Sequence, residues 1–305
     1  VNADYTEVSK KLNKLMAVSN PLFFFLLNLG IIMIFWISSK MINLGQLEVG
    51  QLVAFIEYLF HAMFSIMLFS MVFIMYPRAQ VSANRLEELL NETPSIVNPV
   101  NGVKETELRG EIEFDNVSFS YPNSEECVIK NISFKGSKGE TIAFIGSTGS
   151  GKSTLINLIP RFYDVTKGSI KVNGIDIREY DLKALRRKIG FIPQKSVLFT
   201  GTIANNIRFG KKNASTGDIE YSAKVAEAYD FISKKPKQFN EVLSEGGSNV
   251  SGGQKQRLSI ARALVRKPEI YIFDDSFSAL DFKTDALLRA RLKKETKDAV
   301  VLIVA

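Results

Sequence analysis

Gly146-Ser147-Thr148-Gly149-Ser150-Gly151-Lys152-Ser153-Thr154 is the stretch whose reading decides the fold. It follows an apolar run, Thr141 to Ile145, and leads into the helical pattern Leu155-Ile156-Asn157-Leu158-Ile159. A strand, a glycine-rich turn and a helix in that order make a P-loop inside an α/β domain. Glycines let the backbone close around phosphates, so that successive N–H groups point inward. The helix that follows adds the positive end of its dipole. Lys152 is expected to reach the β- and γ-phosphates of a nucleotide, and Ser153 to ligate Mg²⁺. All nine residues, Gly146 to Thr154, are therefore candidates for holding nucleotide.

Downstream lies Glu269-Ile270-Tyr271-Ile272-Phe273-Asp274-Asp275. Four apolar residues in a row predict a strand buried on both faces of a parallel sheet. A carboxylate at its C-terminal end falls where ligands bind in open α/β sheets. Asp274 is thus a candidate Mg²⁺ ligand, directly or through water. Between these elements stands Val250-Ser251-Gly252-Gly253-Gln254-Lys255-Gln256-Arg257, followed by the helical run Leu258-Ser259-Ile260-Ala261-Arg262-Ala263-Leu264. A serine hydroxyl and glycine N–H groups at a helix N-terminus form a second phosphate cradle.

With these three elements in this order, the chain resembles the ATP-binding cassette family, whose usual signature is Leu-Ser-Gly-Gly-Gln where Val250 to Gln254 stand here. The resemblance implies that Ser251, Gly252, Gly253 and Gln254 close over ATP held by a partner cassette rather than by the chain's own P-loop. It also assigns residues between the motifs. Tyr121, in Phe119-Ser-Tyr-Pro, matches the aromatic that stacks on adenine. Gln194, in Gly190-Phe-Ile-Pro-Gln, matches the Q-loop residue that contacts Mg²⁺ and senses the transmembrane domain. Glu245-Gly-Gly-Ser matches the segment that touches the coupling helices of exporters, and Asp281, in Ser278-Ala-Leu-Asp, the D-loop at the dimer interface. Ser153, Gln194 and Asp274 are the metal set this implies, with ATP and Mg²⁺ as cofactors.

One position departs from the pattern. The family usually has Glu directly after the Asp of the second motif, where it polarises the attacking water; this chain has Asp275. Asp is one methylene shorter, and misplacement by about 1 Å can cost on the order of 100-fold. Asp275 and Gln194 are the candidate catalytic residues. In the family this substitution is typical of the degenerate site in a heterodimeric exporter. The expectation is a chain whose own site is slow, assembled with a second half-transporter; a homodimer is the alternative. The family's switch His falls beyond Ala305.

Upstream, residues 22–38 form a run without charge, and Leu52 to Tyr76 a second with Glu57 as its one formal charge. Each is close to the length that crosses a hydrocarbon core of about 30 Å. The sequence predicts membrane helices over about 20–39 and 51–76. Gly45 and Gly50 lie in the turn between them. Lys10, Lys11 and Lys14 before the first, and Arg78 and Arg85 after the second, place both outer ends in the cytoplasm. Glu57 and His61 share a helix face, which suits either substrate contact or a bond to a neighbouring helix. After Pro77, the pattern Val81, Leu86, Leu89, Leu90 predicts an amphipathic exit helix over 77–91. Residues 92–109, with two prolines at their start, read as a linker. The domains expected are thus 1–91, the end of a membrane domain, and 110–305, the cassette with its helical subdomain.

A net charge of +7 raises the question of nucleic acid. No aromatic-basic nucleic-acid module is present, and cationic surfaces beside anionic lipid explain the excess. The single cysteine, Cys127, rules out an internal disulfide. A start at Val1, without a signal segment, and a stop inside an apolar strand read as a fragment. The hairpin argues against a soluble cassette ATPase of repair or translation. A fused membrane segment favours export over import, which leaves a multi-pass subunit of the plasma membrane with a cytoplasmic cassette. The cargo expected is a small amphipathic or hydrophobic molecule.

Overall fold

The computed structural model describes residues 2–107, 109–122, 124 and 126–305. The chain divides into two compact units, one ending at Thr93 and the other beginning at Pro94.

The first unit is a pair of long helices, α1 (Asn2–Asn43) and α2 (Val49–Asn91). They touch at Gly30, where a Cβ would lie 3.3 Å from Leu59 Cδ2. At 1.5 Å per residue each helix is roughly 60 Å long. Both are long and apolar enough to cross a membrane. Phe24, Phe25, Trp36, Phe69 and Phe73 are all more than 60% exposed, and no residue of α2 is buried. Apolar surface on this scale marks a lipid or protein contact. Polar side chains bond within their own helix: Asn28 Nδ2 donates to the Phe24 carbonyl and Ser65 Oγ to that of His61. Glu57 and His61 are both exposed, with no hydrogen bond joining them.

The sequence places a boundary at Pro77, but α2 runs through it without a break to Asn91. A proline inside a helix removes one N–H and crowds one carbonyl, that of the residue four back. The helical sequence on both sides outweighs that local loss. The stretch expected as a linker also differs. Residues 97–103 are tied to the second unit: Asn98 Nδ2 donates to Asp181 Oδ2 (2.9 Å), the Leu182 N–H donates to Asn98 Oδ1 (2.8 Å), and Val103 bridges Tyr180. Asn98 supplies two of these ties while remaining exposed to solvent.

The second unit opens with β1 (Glu111–Phe119), β2 (Ile129–Ser137) and β3 (Thr141–Phe144), then α3 (Lys152–Leu158). Next come β4 (Lys167–Val172), β5 (Ile175–Asp176), α4 (Leu182–Lys188) and β6 (Ile189–Ile192). A helical group follows, α5 (Ile203–Arg208), α6 (Thr216–Val225) and α7 (Tyr229–Ser233), with the small strand pair β7 (Gly201–Thr202) and β8 (Val242–Leu243). The unit closes with α8 (Gly252–Leu264), β9 (Ile270–Asp274), α9 (Phe282–Glu295) and β10 (Val300–Val304).

Two four-stranded sheets organise it. One is antiparallel, in the order β2-β1-β4-β5; the other runs β3-β10-β9-β6 with every pair parallel. β9 is buried at all five positions and β10 at four, as expected of strands covered on both faces. One core joins the antiparallel sheet to α3 through Phe114, Ile156, Leu158 and Ile170; the other joins the helical group to α8 and the far face of β9.

β1 carries an irregularity between Asp115 and Ser118, where Asn116 has φ 48°. Gly168 of β4 lies across it with φ +81°, and a Cβ there would fall 2.4 Å from the Asp115 carbonyl oxygen. Gly168→Ala therefore meets both a strained backbone and a collision with main chain. The expected loss is about 3 kcal/mol, from left-handed strain plus overpacking. Thermal unfolding should show a fall of roughly 6–12 °C; an unchanged midpoint would mean that the sheet yields at no cost.

Candidate functional site

The P-loop joins β3 to α3 and is shaped by its glycines. Gly151 has φ +87°, and a Cβ there would sit 2.9 Å from Ile129 Cδ1. A side chain at 151 would thus be strained and would push the loop off β2. Lys152 lies back over the loop, its Nζ donating to the carbonyls of Gly146 (2.6 Å) and Ser147 (3.1 Å). Ser153, in the first turn of α3, donates from Oγ to Asp274 Oδ1 at 2.9 Å. These two residues are 121 positions apart, and the C-terminal end of β9 brings them together.

Asp275 follows with a left-handed backbone, φ 44°, a conformation that Asp tolerates better than most residues. Its Oδ2 accepts a hydrogen bond from Gln194 Nε2 at 2.9 Å. The contact arises because β6, which ends just before Gln194, is the direct neighbour of β9. Tyr121 shares a hydrogen bond with Thr154, 2.9 Å between Oη and Oγ1. Its ring meets Phe119 and Tyr163 edge-on. A cavity of about 530 Å³ lies among these groups, at the C-terminal ends of the parallel strands. Its walls include Tyr121, most of the P-loop, Gln194, Asp274 and Asp275.

Burial pushes the Asp274 carboxyl above its ordinary value. The Ser153 hydrogen bond opposes this, the nearby Asp275 carboxylate adds to it, and the Lys152 ammonium opposes it again. Two adjacent carboxylates facing one ammonium leave room for further positive charge. A hydroxyl and a carboxylate oxygen in contact are the hard donors that Mg²⁺ takes. Ser153 and Asp274 fit that ion, and backbone N–H groups at the start of α3 fit a phosphate chain.

The remaining expected residues lie elsewhere on the unit. Ser251 caps α8: its Oγ accepts from the Gln254 N–H (3.3 Å), while the Ser251 N–H donates to Gln254 Oε1 (3.1 Å). Asp281 caps α9 by accepting from the Thr284 N–H at 3.0 Å; that side-chain and backbone bonding holds its carboxyl below the usual range. Neither Ser251 to Gln254 nor Asp281 lines the cavity. Ser147 contributes its carbonyl to Lys152 and is not part of the wall. Val128, an apolar wall residue between Tyr121 and the P-loop, has no sequence signal to mark it. Gln256 was equally silent in the sequence, although it stands inside the quoted signature stretch.

Residues 129–278 match the family model described as ABC transporter. The second unit is thus an ABC nucleotide-binding domain, preceded in the same chain by two long apolar helices. Over 282 residues the chain is 40% identical to an uncharacterized ABC transporter ATP-binding protein of Mycobacterium bovis, covering 91% of this chain and 48% of that protein. It is 37% identical to ATP-binding cassette sub-family B member 5 of Mus musculus, covering 92% of this chain and 23% of that one. Among solved structures, a bacterial Atm1-family ABC exporter with ATP bound superposes with a TM-score of 0.76 at 32% identity, over 85% of this chain and 46% of that chain. The chain spans about half the length of the bacterial relatives it matches.

Proposed function

We propose that this chain is part of one half of a dimeric ABC exporter, which binds MgATP in the cavity beneath the P-loop and couples its hydrolysis to export. The observation that carries the reading is the convergence of Lys152, Ser153, Gln194, Asp274 and Asp275 on one cavity, in a chain that also has two membrane-length apolar helices.

In this reading each residue has a definite task. Tyr121 stacks on adenine at the mouth of the cavity. Residues Gly146 to Thr154 cradle the phosphates, and Lys152 turns from the loop carbonyls towards the β- and γ-phosphates. Ser153, Gln194 and Asp274 hold Mg²⁺, which neutralises charge on the phosphates when bound. Asp275 orients the attacking water as general base, with Gln194 as its hydrogen-bond partner. Ser251 to Gln254 are free to close on nucleotide held by a partner, since they lie outside their own cavity. Asp281 sits at that dimer contact. α1 and α2 span the membrane, with Lys10, Lys11, Lys14, Arg78 and Arg85 on the cytoplasmic side. The cargo is a small amphipathic or hydrophobic molecule.

Asp275 beside an intact Ser251 to Gln254 supports a division of labour. The chain's own site turns over slowly, and its signature completes a faster site on a second half-transporter. The test is ATP hydrolysis by the full-length subunit alone and with candidate partners, in lipid. Slow turnover alone, rising at least about 10-fold with a partner carrying Glu at the equivalent position, is the expected result. Vigorous hydrolysis by a homodimer would sink the heterodimer reading. Absence of ATP-dependent dye uptake into vesicles would remove export itself.

A further inference from the structure

Gln256 lies two residues beyond the signature, on α8, with only 3% of its surface exposed. A buried side-chain amide has to find partners, and both of its partners lie on the loop that carries Gln194. Ser196 Oγ donates to Gln256 Oε1, and Gln256 Nε2 donates to the Pro193 carbonyl at 3.4 Å. The same loop is held on either side. Ser276 Oγ donates to the Ile192 carbonyl at 2.8 Å, and Arg262, also on α8, donates from Nη1 to the Val197 carbonyl at 2.9 Å. Gln194 itself bonds to Asp275. The loop around Gln194 is therefore pinned at Pro193, Ser196 and Val197 to one helix, and that helix begins at the signature.

We propose that Gln256 is a positioning residue that fixes the reach of Gln194 to Asp275 and ties it to the N-terminus of α8. This deepens the reading of the cavity as a MgATP site and rests on it. If nucleotide displaces Gln194, the loop must either carry α8 with it or break the two Gln256 bonds. The state of the chain's own cavity is thereby coupled to Ser251 to Gln254, which serve the opposite site. Gln256 is not itself a wall of the cavity and removing its amide leaves the P-loop in place, so ATP should still bind. What is lost is the alignment of Gln194 and the transmission to α8.

The experiment uses the full-length transporter, with its partner where one is required, in four variants: Gln256→Leu, Ser196→Ala, Gln194→Ala and the double Gln194→Ala/Gln256→Leu. Gln256→Leu should lower kcat at least about 10-fold with KM for ATP within about twofold, because positioning is lost while binding is kept. Ser196→Ala, which removes one hydroxyl at the edge of the loop, should lower kcat about threefold in the same direction. In the Gln194→Ala background, Gln256→Leu should add nothing further, since both act through one group. Multiplicative losses in the double variant, or a KM that rises in step with the fall in kcat, would overturn the proposal. So would unchanged kcat in both single variants of the clamp. Failure of the MgATP reading has a different signature: wild type would bind no fluorescent ATP analogue, and Lys152→Ala would be indistinguishable from it.

Discussion

Replacing Asp275 by Glu should raise ATP hydrolysis at this chain's own site, read as turnover by the full-length subunit without its partner, by roughly 10- to 100-fold at saturating ATP. The carboxylate of Asp275 is already drawn towards the cavity by Gln194, at 2.9 Å, so its direction is set and its length is what limits it. One added methylene carries the oxygen about a bond length further, and general-base efficiency depends steeply on that reach. The gain comes with a cost. Asp275 has φ 44°, a region that short polar side chains tolerate and longer ones resist by roughly 1–2 kcal/mol. The variant should therefore be faster and slightly less stable, with KM for ATP little changed. Steady-state hydrolysis beside a thermal unfolding curve checks both halves. Unchanged turnover would mean that residue 275 does not limit the reaction, and the slow-site reading would fall with it.

Removing the Lys152 ammonium should have the largest effect of the opposite sign. Lys152→Ala is expected to weaken ATP binding at least about 100-fold, since a charge-assisted bond to phosphate is lost in a cavity that otherwise holds two carboxylates. The lysine is half-buried, and its Nζ donates to the carbonyls of Gly146 and Ser147. Its loss should cost the fold less than about 1 kcal/mol. The combination is diagnostic: binding disappears while the unfolding midpoint stays. Equilibrium binding of a fluorescent ATP analogue provides the measurement. Retained affinity would show that nucleotide, if bound, is held somewhere other than this cavity.

The features that were legible in the sequence are those encoded by a few adjacent residues. The P-loop needs glycines in left-handed conformations beside a lysine and a serine, and that requirement is visible as a spacing. β9 announced itself by four apolar residues ending in a carboxylate, because a strand covered on both faces tolerates nothing else. The two apolar helices were visible as composition. Their extents were less so: Pro77 looked like an end, yet one missing N–H does not stop a helix whose flanks both favour it. Residues 97–103 read as a linker because nothing local tells that Asn98 meets Asp181 and Leu182.

By itself, then, the sequence determined the glycine-rich loop, the carboxylate-ended strand and the signature stretch as local patterns, and that the chain combines them with two membrane-length helices. Only the tertiary structure decided which of them meet. The order β3-β10-β9-β6 sets the end of β6 beside the end of β9, so Gln194 reaches Asp275 across 81 positions. The same sheet brings Ser153 to Asp274 and leaves Ser251 to Gln254 on a different surface. Gln256 was mute in the sequence because a polar residue after a polar motif carries no pattern; burial against the Gln194 loop gives it a role. Local motifs are written in backbone preference and periodicity, which act over a few residues. Their meeting is settled by strand order and packing, which belong to the whole domain.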